Sequence, residues 1–325
     1  MKTLDYRKVR INILYIFLAI LSVCACHKQY MPNPNISYYK EICNETQNMD
    51  RFIFFTDPHM SPSDEVFTNF LDTLHHYFLN TSTEICICGG DWLNNMDTQI
   101  EAENKLTKIN DISNTLFKSN FYPVLGNHDT NYQGILDLNS GNNTGKLSQE
   151  KIVDLLFAKQ GKAYYAFYSS NSKYIVVDTG IDWDSSLNEY RKVQIDWFIN
   201  ELLMNKKQHI IILMHIYTNN LVDVEPFAKE LMQISEFFNE KLCADIYDFS
   251  NTKGTVACFI CGHCHQDFLD NRTTIPVIGF THFQDGTLPT FDMCAINWDS
   301  NTLKTVRVGS GENRDITLYC KKDNL

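Results

Sequence analysis

Five short apolar runs in this chain each stop abruptly in side chains that bind protons or metals, and this repetition restricts the fold more than any other feature. Phe52–Phe55 runs into Thr56-Asp57-Pro58-His59, Ile85–Cys88 into Gly89-Gly90-Asp91, and Pro123-Val124-Leu125 into Gly126-Asn127-His128-Asp129. Ile210–Met214 ends in His215, and Cys258–Cys261 in Gly262-His263-Cys264-His265. Short apolar runs of this kind read as buried strands. A strand that ends in polar groups delivers them to one edge of a sheet, where open α/β folds keep their chemistry. One such end would pass for an ordinary turn, and a lone Asp57 or Asp91 would read as the cap of the next helix. Repeated across the chain, the pattern points to one shared site.

The stretches between these runs alternate with them. After Ser63-Asp64-Glu65, a helix start, Val66, Phe67, Phe70, Leu71, Leu74 and Phe78 recur at helical spacing. A second helix is expected from Thr98 to Lys118 with Glu101, Glu103, Lys105 and Lys108 on its polar face, and further helices over Glu189–Met204 and Pro226–Asn239. Strand alternating with helix predicts a sheet covered by crossover helices. Ala163–Ser169 and Lys173–Thr179 read as a hairpin around Ser170-Asn171-Ser172. Thr274–Phe280, Phe291–Trp298 and Leu303–Val308 read as strands with few helical signals between them, which suits a second, largely antiparallel sheet. Asn131–Lys146 reads as loop, either a lid over substrate or a plain surface excursion. His75 and His76 read as surface or packing residues within the first helix, and Asp178 as a structural acid at a strand end. His282 belongs to no motif and reads as packed or surface, with substrate contact as the alternative.

At 325 residues and 44% hydrophobic content the chain can bury one sizeable core, and nothing in it marks a second domain. Lys2, Arg7, Lys8 and Arg10 precede the apolar run Ile11–Val23, which is too short to span a bilayer comfortably but suits a secretory signal. Val23-Cys24-Ala25-Cys26 resembles the processing site of bacterial lipoproteins, with Cys26 as the lipidated residue. The alternative is an ordinary signal peptide that contains two cysteines. The expected organisation is therefore a signal over 1–25, a flexible tether over 26–50 and one domain over 51–325. The protein is expected to be exported, anchored to a membrane through Cys26 and facing the periplasm or cell surface, or otherwise secreted. Without residues 1–25 the chain keeps 24 basic against 38 acidic residues, a net charge of −14. Such a charge disfavours a nucleic-acid polymer as partner, but local charge at a metal site leaves a small phosphate ester possible. Eleven cysteines are present. Cys258-x-x-Cys261 has no second pair to complete a zinc knuckle, so buried thiols are the expected reading.

The order Asp-x-His, Gly-Asp, Gly-Asn-His-Asp, His, Gly-His-x-His resembles the calcineurin-like metallophosphoesterase superfamily, over roughly Phe52 to Trp298. The resemblance implies an α/β fold, a four-layer α/β/β/α sandwich of two mixed sheets flanked by helices. It implies two divalent metal ions, the first held by Asp57, His59 and His265, the second by Asn127, His215 and His263, with Asp91 bridging them. Mixed oxygen and imidazole ligands favour Mn, Zn or Fe over Ca. Water trapped between two cations loses a proton at neutral pH and becomes a nucleophile for phosphorus. By the same resemblance His128 stabilises the transition state or protonates the leaving oxygen, and Asp129 either orients His128 or caps the turn.

Departures from particular branches narrow the reading. Purple acid phosphatases carry a tyrosine three residues after the bridging aspartate, where this chain has Asn94. Protein Ser/Thr phosphatases follow Gly-Asp with an arginine, and Trp92-Leu93-Asn94-Asn95-Met96 has none. Lipid A precursor hydrolases tend to replace the motif histidine by arginine, whereas His128 is present. What remains resembles the cyclic-nucleotide and general phosphodiesterase branch. The expectation is a phosphodiesterase acting on a small phosphate ester, with an exported nucleotidase or other phosphomonoesterase, or a non-catalytic metal-binding scaffold, as alternatives.

Overall fold

The computed structural model describes residues 34–60, 64–132, 145–180, 188–205, 207–217, 224–240, 254–283 and 289–320. The leader, Cys26 and most of the Asn131–Lys146 loop lie outside the described residues. The strands form two six-stranded sheets. The first runs in the order β12 (Arg314–Thr317), β11 (Thr302–Val308), β10 (Phe291–Asn297), β1 (Met49–Phe55), β2 (Ile85–Cys88), β3 (Phe121–Pro123). The second runs β4 (Tyr165–Tyr168), β5 (Ser172–Val176), β6 (His209–Leu213), β7 (Thr255–Cys261), β9 (Val277–Gly279), β8 (Phe268–Asp270). Within each sheet the motif-bearing strands are parallel, so their C-terminal ends share one edge.

Both sheets are mixed, which corrects the expectation of a largely antiparallel sheet built by the end of the chain. The late strands divide instead. β8 and β9 complete the second sheet, while β10 crosses back to pair antiparallel with β1, Phe52 opposite Cys294. The reason is an edge: with β2 on one side only, the other side of β1 would carry unpaired backbone groups, and β10 satisfies them.

Period-two alternation sorts the side chains between layers. From β1, Phe52 and Phe54 face the second sheet, against Tyr174 and Phe280, while Phe55 faces outward against Phe70 and Trp92. From β6, Ile211 and Leu213 join the core between the sheets, and Ile210, Ile212 and Met214 pack under the helices. The register slips between Ile210 and Ile211, so that on β7 both Ala257 and Cys258 face the inter-sheet core.

Helices α1 (Pro34–Cys43), α2 (Asp64–Asn80) and α3 (Gln99–Phe117) pack on the first sheet's core, followed by the short α4 (Gln149–Leu156). Helices α5 (Asn188–Leu203) and α6 (Pro226–Glu240) cover the outer face of the second. Helix α3 starts with a capping box: Thr98 accepts from the Glu101 N–H, and the Glu101 carboxylate accepts from the Thr98 N–H at 2.9 Å. Among the described residues no helix is long and apolar enough to cross a membrane.

The flexible tether expected up to residue 50 gives way to folded structure from residue 34. Helix α1 buries Tyr39 and Ile42, the Tyr39 hydroxyl donates to the Cys294 carbonyl at 2.7 Å, and β1 begins at Met49. Far from the motif-bearing end of β1, buried Asp50 accepts from Ser169 Oγ at 2.6 Å, Trp298 Nε1 at 2.8 Å and Ser172 Oγ, which fixes the spacing of the two sheets.

Candidate metal centre

The chain turns sharply as it leaves β1, β2 and β7, and there the turning residues are the candidate ligands themselves. Asp57 (φ 53°), His59 (39°), Asp91 (58°), His263 (69°) and His265 (54°) all lie in the left-handed region that L-residues avoid. Strain of this kind, of order 1–3 kcal/mol per residue, persists only where the surroundings enforce it, and it gathers at functional sites.

Glycines let the strand ends approach closely enough to pool these side chains. A Cβ at Gly126 would stand 2.1 Å from Asp91 Oδ1, at Gly90 2.7 Å from His215 Nδ1, and at Gly262 2.7 Å from Asp57 Oδ2. At Gly90 and Gly262 the backbone of one sheet thus lies directly against site side chains of the other.

Each buried acid has one oxygen occupied and one turned toward the imidazoles. Asp57 Oδ2 accepts from the Thr56 hydroxyl at 2.6 Å and the His263 N–H at 3.1 Å. Its Oδ1 lies 3.2 Å from His265 Nε2, 3.9 Å from His59 Nε2 and 4.0 Å from His215 Nε2. Asp91 Oδ1 accepts the His128 N–H at 2.8 Å, while Oδ2 lies 3.1 Å from His215 Nε2 and 4.0 Å from His59 Nε2. Asp91 Oδ2 therefore stands between one histidine of each expected ion, where a bridging ligand belongs.

The imidazoles are held by their far nitrogens. His215 Nδ1 donates to the Gly89 carbonyl at 2.7 Å and His59 Nδ1 to the Leu93 carbonyl at 3.0 Å, which turns each Nε2 into the cage. His59 Nε2 meets His265 Nε2 at 3.1 Å. Asp57 Oδ1 and His215 Nε2 are buried and, despite their close neighbours, make no hydrogen bond. Buried polar atoms converging in this way are ones that a cation among them would satisfy. The ligand atoms of Asp57, His59 and His265 lie within 4.8 Å of one another, as do those of Asp91, His215 and His263. This donor set fits divalent cations of the Zn, Mn and Fe class.

The electrostatics agree. Burial works to raise the carboxyl of Asp57, yet His265 and His215 hold it well below the ordinary range; Asp91 is likewise lowered, burial being outweighed by His215. His215 is opposed by burial and still drawn up to about 10 by Asp91 and Asp57. A divalent cation would feel the same attraction. His263, by contrast, is pushed down to about 4 by burial and the nearby His215, and so stays a neutral, metal-competent imidazole at physiological pH.

The remaining expected residues divide. Asn127 Oδ1 is buried and unpaired, as an amide ligand's oxygen would be. His128 packs edge-on against His59 with ring centres 4.8 Å apart, within ligand distance of His59 and Asp91, and its Nδ1 is likewise unpaired. Asp129 does not orient His128. Its carboxylate accepts from the N–H groups of Gly126 (2.9 Å), Asp91 (3.2 Å), Trp92 (2.6 Å) and Leu93 (3.2 Å). It ties the loop after β2 to the loop after β3, in line with the turn-capping alternative. Burial and the charge of Asp91 push it up to about 7 against those donors.

Outside the motifs, His282 stacks on His265 at 4.5 Å, its Nδ1 3.4 Å from the His265 carbonyl. Asp178 is structural, bonded to the Tyr190 hydroxyl at 2.9 Å and the Gly180 N–H at 3.1 Å. The described cysteines are free thiols, and Cys258 and Cys261 are buried as expected. The feet of the Asn131–Lys146 loop are tied by Asn131 Nδ2 to the Gly145 carbonyl at 2.8 Å. Sequence reasoning passed over Thr56 and the carbonyls of Gly89 and Leu93. Only Thr56, directly before Asp57, left a readable signal.

Residues 50–267 match the family model of the calcineurin-like phosphoesterases. The chain belongs to that family. Phosphoester hydrolysis with divalent metal binding is the chemistry this phosphoesterase inherits, and the cage of aspartate and histidine fits it. The fold is similar to a dimetal phosphatase from Danio rerio at 12% identity and a TM-score of 0.56, covering 83% of this chain and 99% of that one. It is also similar to the purple acid phosphatase PPD1 from yellow lupin (Lupinus luteus) seeds, at 12% identity and a TM-score of 0.50, covering 84% of this phosphoesterase but 54% of the plant chain. By sequence the chain matches none of the curated proteins.

Proposed function

We propose that the protein is a phosphodiesterase for small phosphate esters that works with two divalent ions, one held by Asp57, His59 and His265, the other by Asn127, His215 and His263, with Asp91 shared. The observation that carries the reading is Asp91 Oδ2, within 3.1 Å of His215 Nε2 and 4.0 Å of His59 Nε2 while Oδ1 is occupied by the His128 N–H. When bound, the ions supply positive charge that polarises the phosphoryl group and brings the pKa of water toward neutrality. His128 supplies the proton to the leaving group: the water oxygen bonds to phosphorus and gives up a proton to solvent, the ester P–O bond breaks, the leaving oxygen takes a proton from the imidazole, and solvent returns one to His128. Preference for diesters is supported by Trp92–Met96, which offers no arginine to grip the second negative charge of a monoester. Export and lipidation at Cys26 belong to the same proposal, and Cys26→Ser should abolish incorporation of labelled fatty acid.

Purified protein is assayed with an aryl phosphodiester and the matching monoester, with Mn or Zn added. Faster turnover of the diester is expected, and His128→Ala should lower kcat by about a hundredfold or more with metal content unchanged. Faster turnover of the monoester would turn the reading to a phosphomonoesterase, and turnover of neither with metals bound would turn it to a scaffold.

A further inference from the structure

We infer that Thr56 is a positioning residue that decides which oxygen of Asp57 is presented to a metal ion; the inference rests on Asp57 being a ligand. Thr56 is fully buried, and its single hydroxyl proton goes to Asp57 Oδ2 at 2.6 Å. The same oxygen accepts the His263 N–H at 3.1 Å, so two donors occupy Oδ2 while Oδ1 has no hydrogen-bond partner and faces His265 and His59. The pattern makes Asp57 a ligand through one oxygen.

The hydroxyl cannot drift. Glycines from both sheets close on it: a Cβ at Gly262 would stand 2.0 Å from Thr56 Oγ1, and one at Gly89 2.6 Å from it. The backbone is pinned as well, the Thr56 carbonyl accepting from the Phe283 N–H at 3.0 Å and the Asp57 N–H donating to the Gly90 carbonyl at 2.9 Å. Thr56 therefore holds Asp57 rather than following it. Its influence should fall on the ion of Asp57, His59 and His265 and spare the ion of Asp91, His215 and His263, an asymmetry that general loosening of the fold would not produce.

The full chain is titrated with Mn²⁺ by calorimetry, comparing wild type with Thr56→Ala, Thr56→Val and Thr56→Ser, with circular dichroism reporting the fold. Removing a hydrogen-bond partner of a metal ligand typically weakens affinity about tenfold to a hundredfold. One of the two binding steps should weaken by that factor in Thr56→Ala and in Thr56→Val, which keeps the shape without the proton. The other step should stay near wild type, and Thr56→Ser should restore both. Folded Ala and Val variants that bind both ions as wild type does, or that weaken both steps equally, would overturn the inference. Wild-type protein that takes up no Mn²⁺ would overturn the ligand reading of Asp57 itself, and this inference with it.

Discussion

Replacing Gly126 by alanine adds one methyl group at the point where the loops after β2 and β3 meet. The new Cβ would stand 2.1 Å from Asp91 Oδ1, 2.2 Å from the Asp91 amide nitrogen and 2.8 Å from its Cα. Ordinary contacts of carbon with nitrogen or oxygen exceed 3 Å by a few tenths, so the separation must grow by about 1 Å. Gly126 has nowhere to retreat. A Cβ on Gly180 would already be 2.6 Å from the Gly126 carbonyl carbon and one on Gly90 2.9 Å from its nitrogen, so the backbones are in contact on both sides. The Gly126 N–H is also tied to Asp129 Oδ2 at 2.9 Å. Asp91 must move instead, breaking its 2.8 Å bond from the His128 N–H. Overpacking costs about 1–3 kcal/mol and a hydrogen bond to a charged group about 1.5–3 kcal/mol, so the variant should lose about 3–5 kcal/mol of stability in urea. Because Asp91 is shared by both ions in the proposed function, Mn²⁺ uptake by calorimetry should fall at both steps. Gly161→Ala is the control: its φ is +70° but nothing lies within 4 Å of the added Cβ, so it should cost about 1 kcal/mol and leave Mn²⁺ uptake alone. A Gly126→Ala protein that melts within about 1 kcal/mol of wild type and binds Mn²⁺ normally would refute the steric reasoning.

Asp129→Asn keeps one acceptor oxygen where four backbone N–H groups now converge, so it should lose about 3 kcal/mol in urea. The pH profile of any activity should keep its shape, because Asp129 does not touch His128; a shifted profile would reinstate the orienting role. His209, stacked on Trp298 at 3.8 Å, is pushed down to about 4 by burial. The unfolded chain then binds the proton more readily, so the stabilisation is present above about pH 6.5 and is lost as pH falls toward 4. Partial solvent contact reduces the nominal value of about 3 kcal/mol to about 1–2 kcal/mol. Melting from pH 7 to 4 should fall less steeply in His209→Phe, and parallel curves would exclude His209 as a source of the acid sensitivity. Chelation should lower the melting temperature, since an ion at a hundred times its dissociation constant stabilises by about 2.7 kcal/mol. An unchanged melt with metal demonstrably removed would contradict a cage held together by its cations.

What could be read in advance and what could not separate along a physical line. The motif strands were legible because burial on both faces writes itself into consecutive residues such as Ile85–Cys88 and Ile210–Met214, and the ligands because aspartate and histidine at strand ends are costly unless used. Helix α1 was hidden by the prolines and asparagines around it, although Tyr39, Ile42 and Cys43 carry the helical spacing that docks it against β10 and β11. The place of β10 depends on which edge of β1 stays unpaired, a property of the assembled sheet that Phe291–Asn297 does not encode. Asp129 stayed open between two roles for a related reason. The resemblance left it either orienting His128 or capping the turn, and three of its four amide donors, Asp91, Trp92 and Leu93, come from the neighbouring strand's loop, a contact that its place in the sequence does not show. Gly126 shows the same effect in reverse. As a letter it reads as a turn former, but its φ is not positive; what requires glycine there is Asp91 Oδ1 at 2.1 Å from a would-be Cβ. The chemistry of this site was therefore visible residue by residue, while the packing that aims it resides in contacts between strands distant in sequence, where Thr56, Gly89 and Gly262 meet.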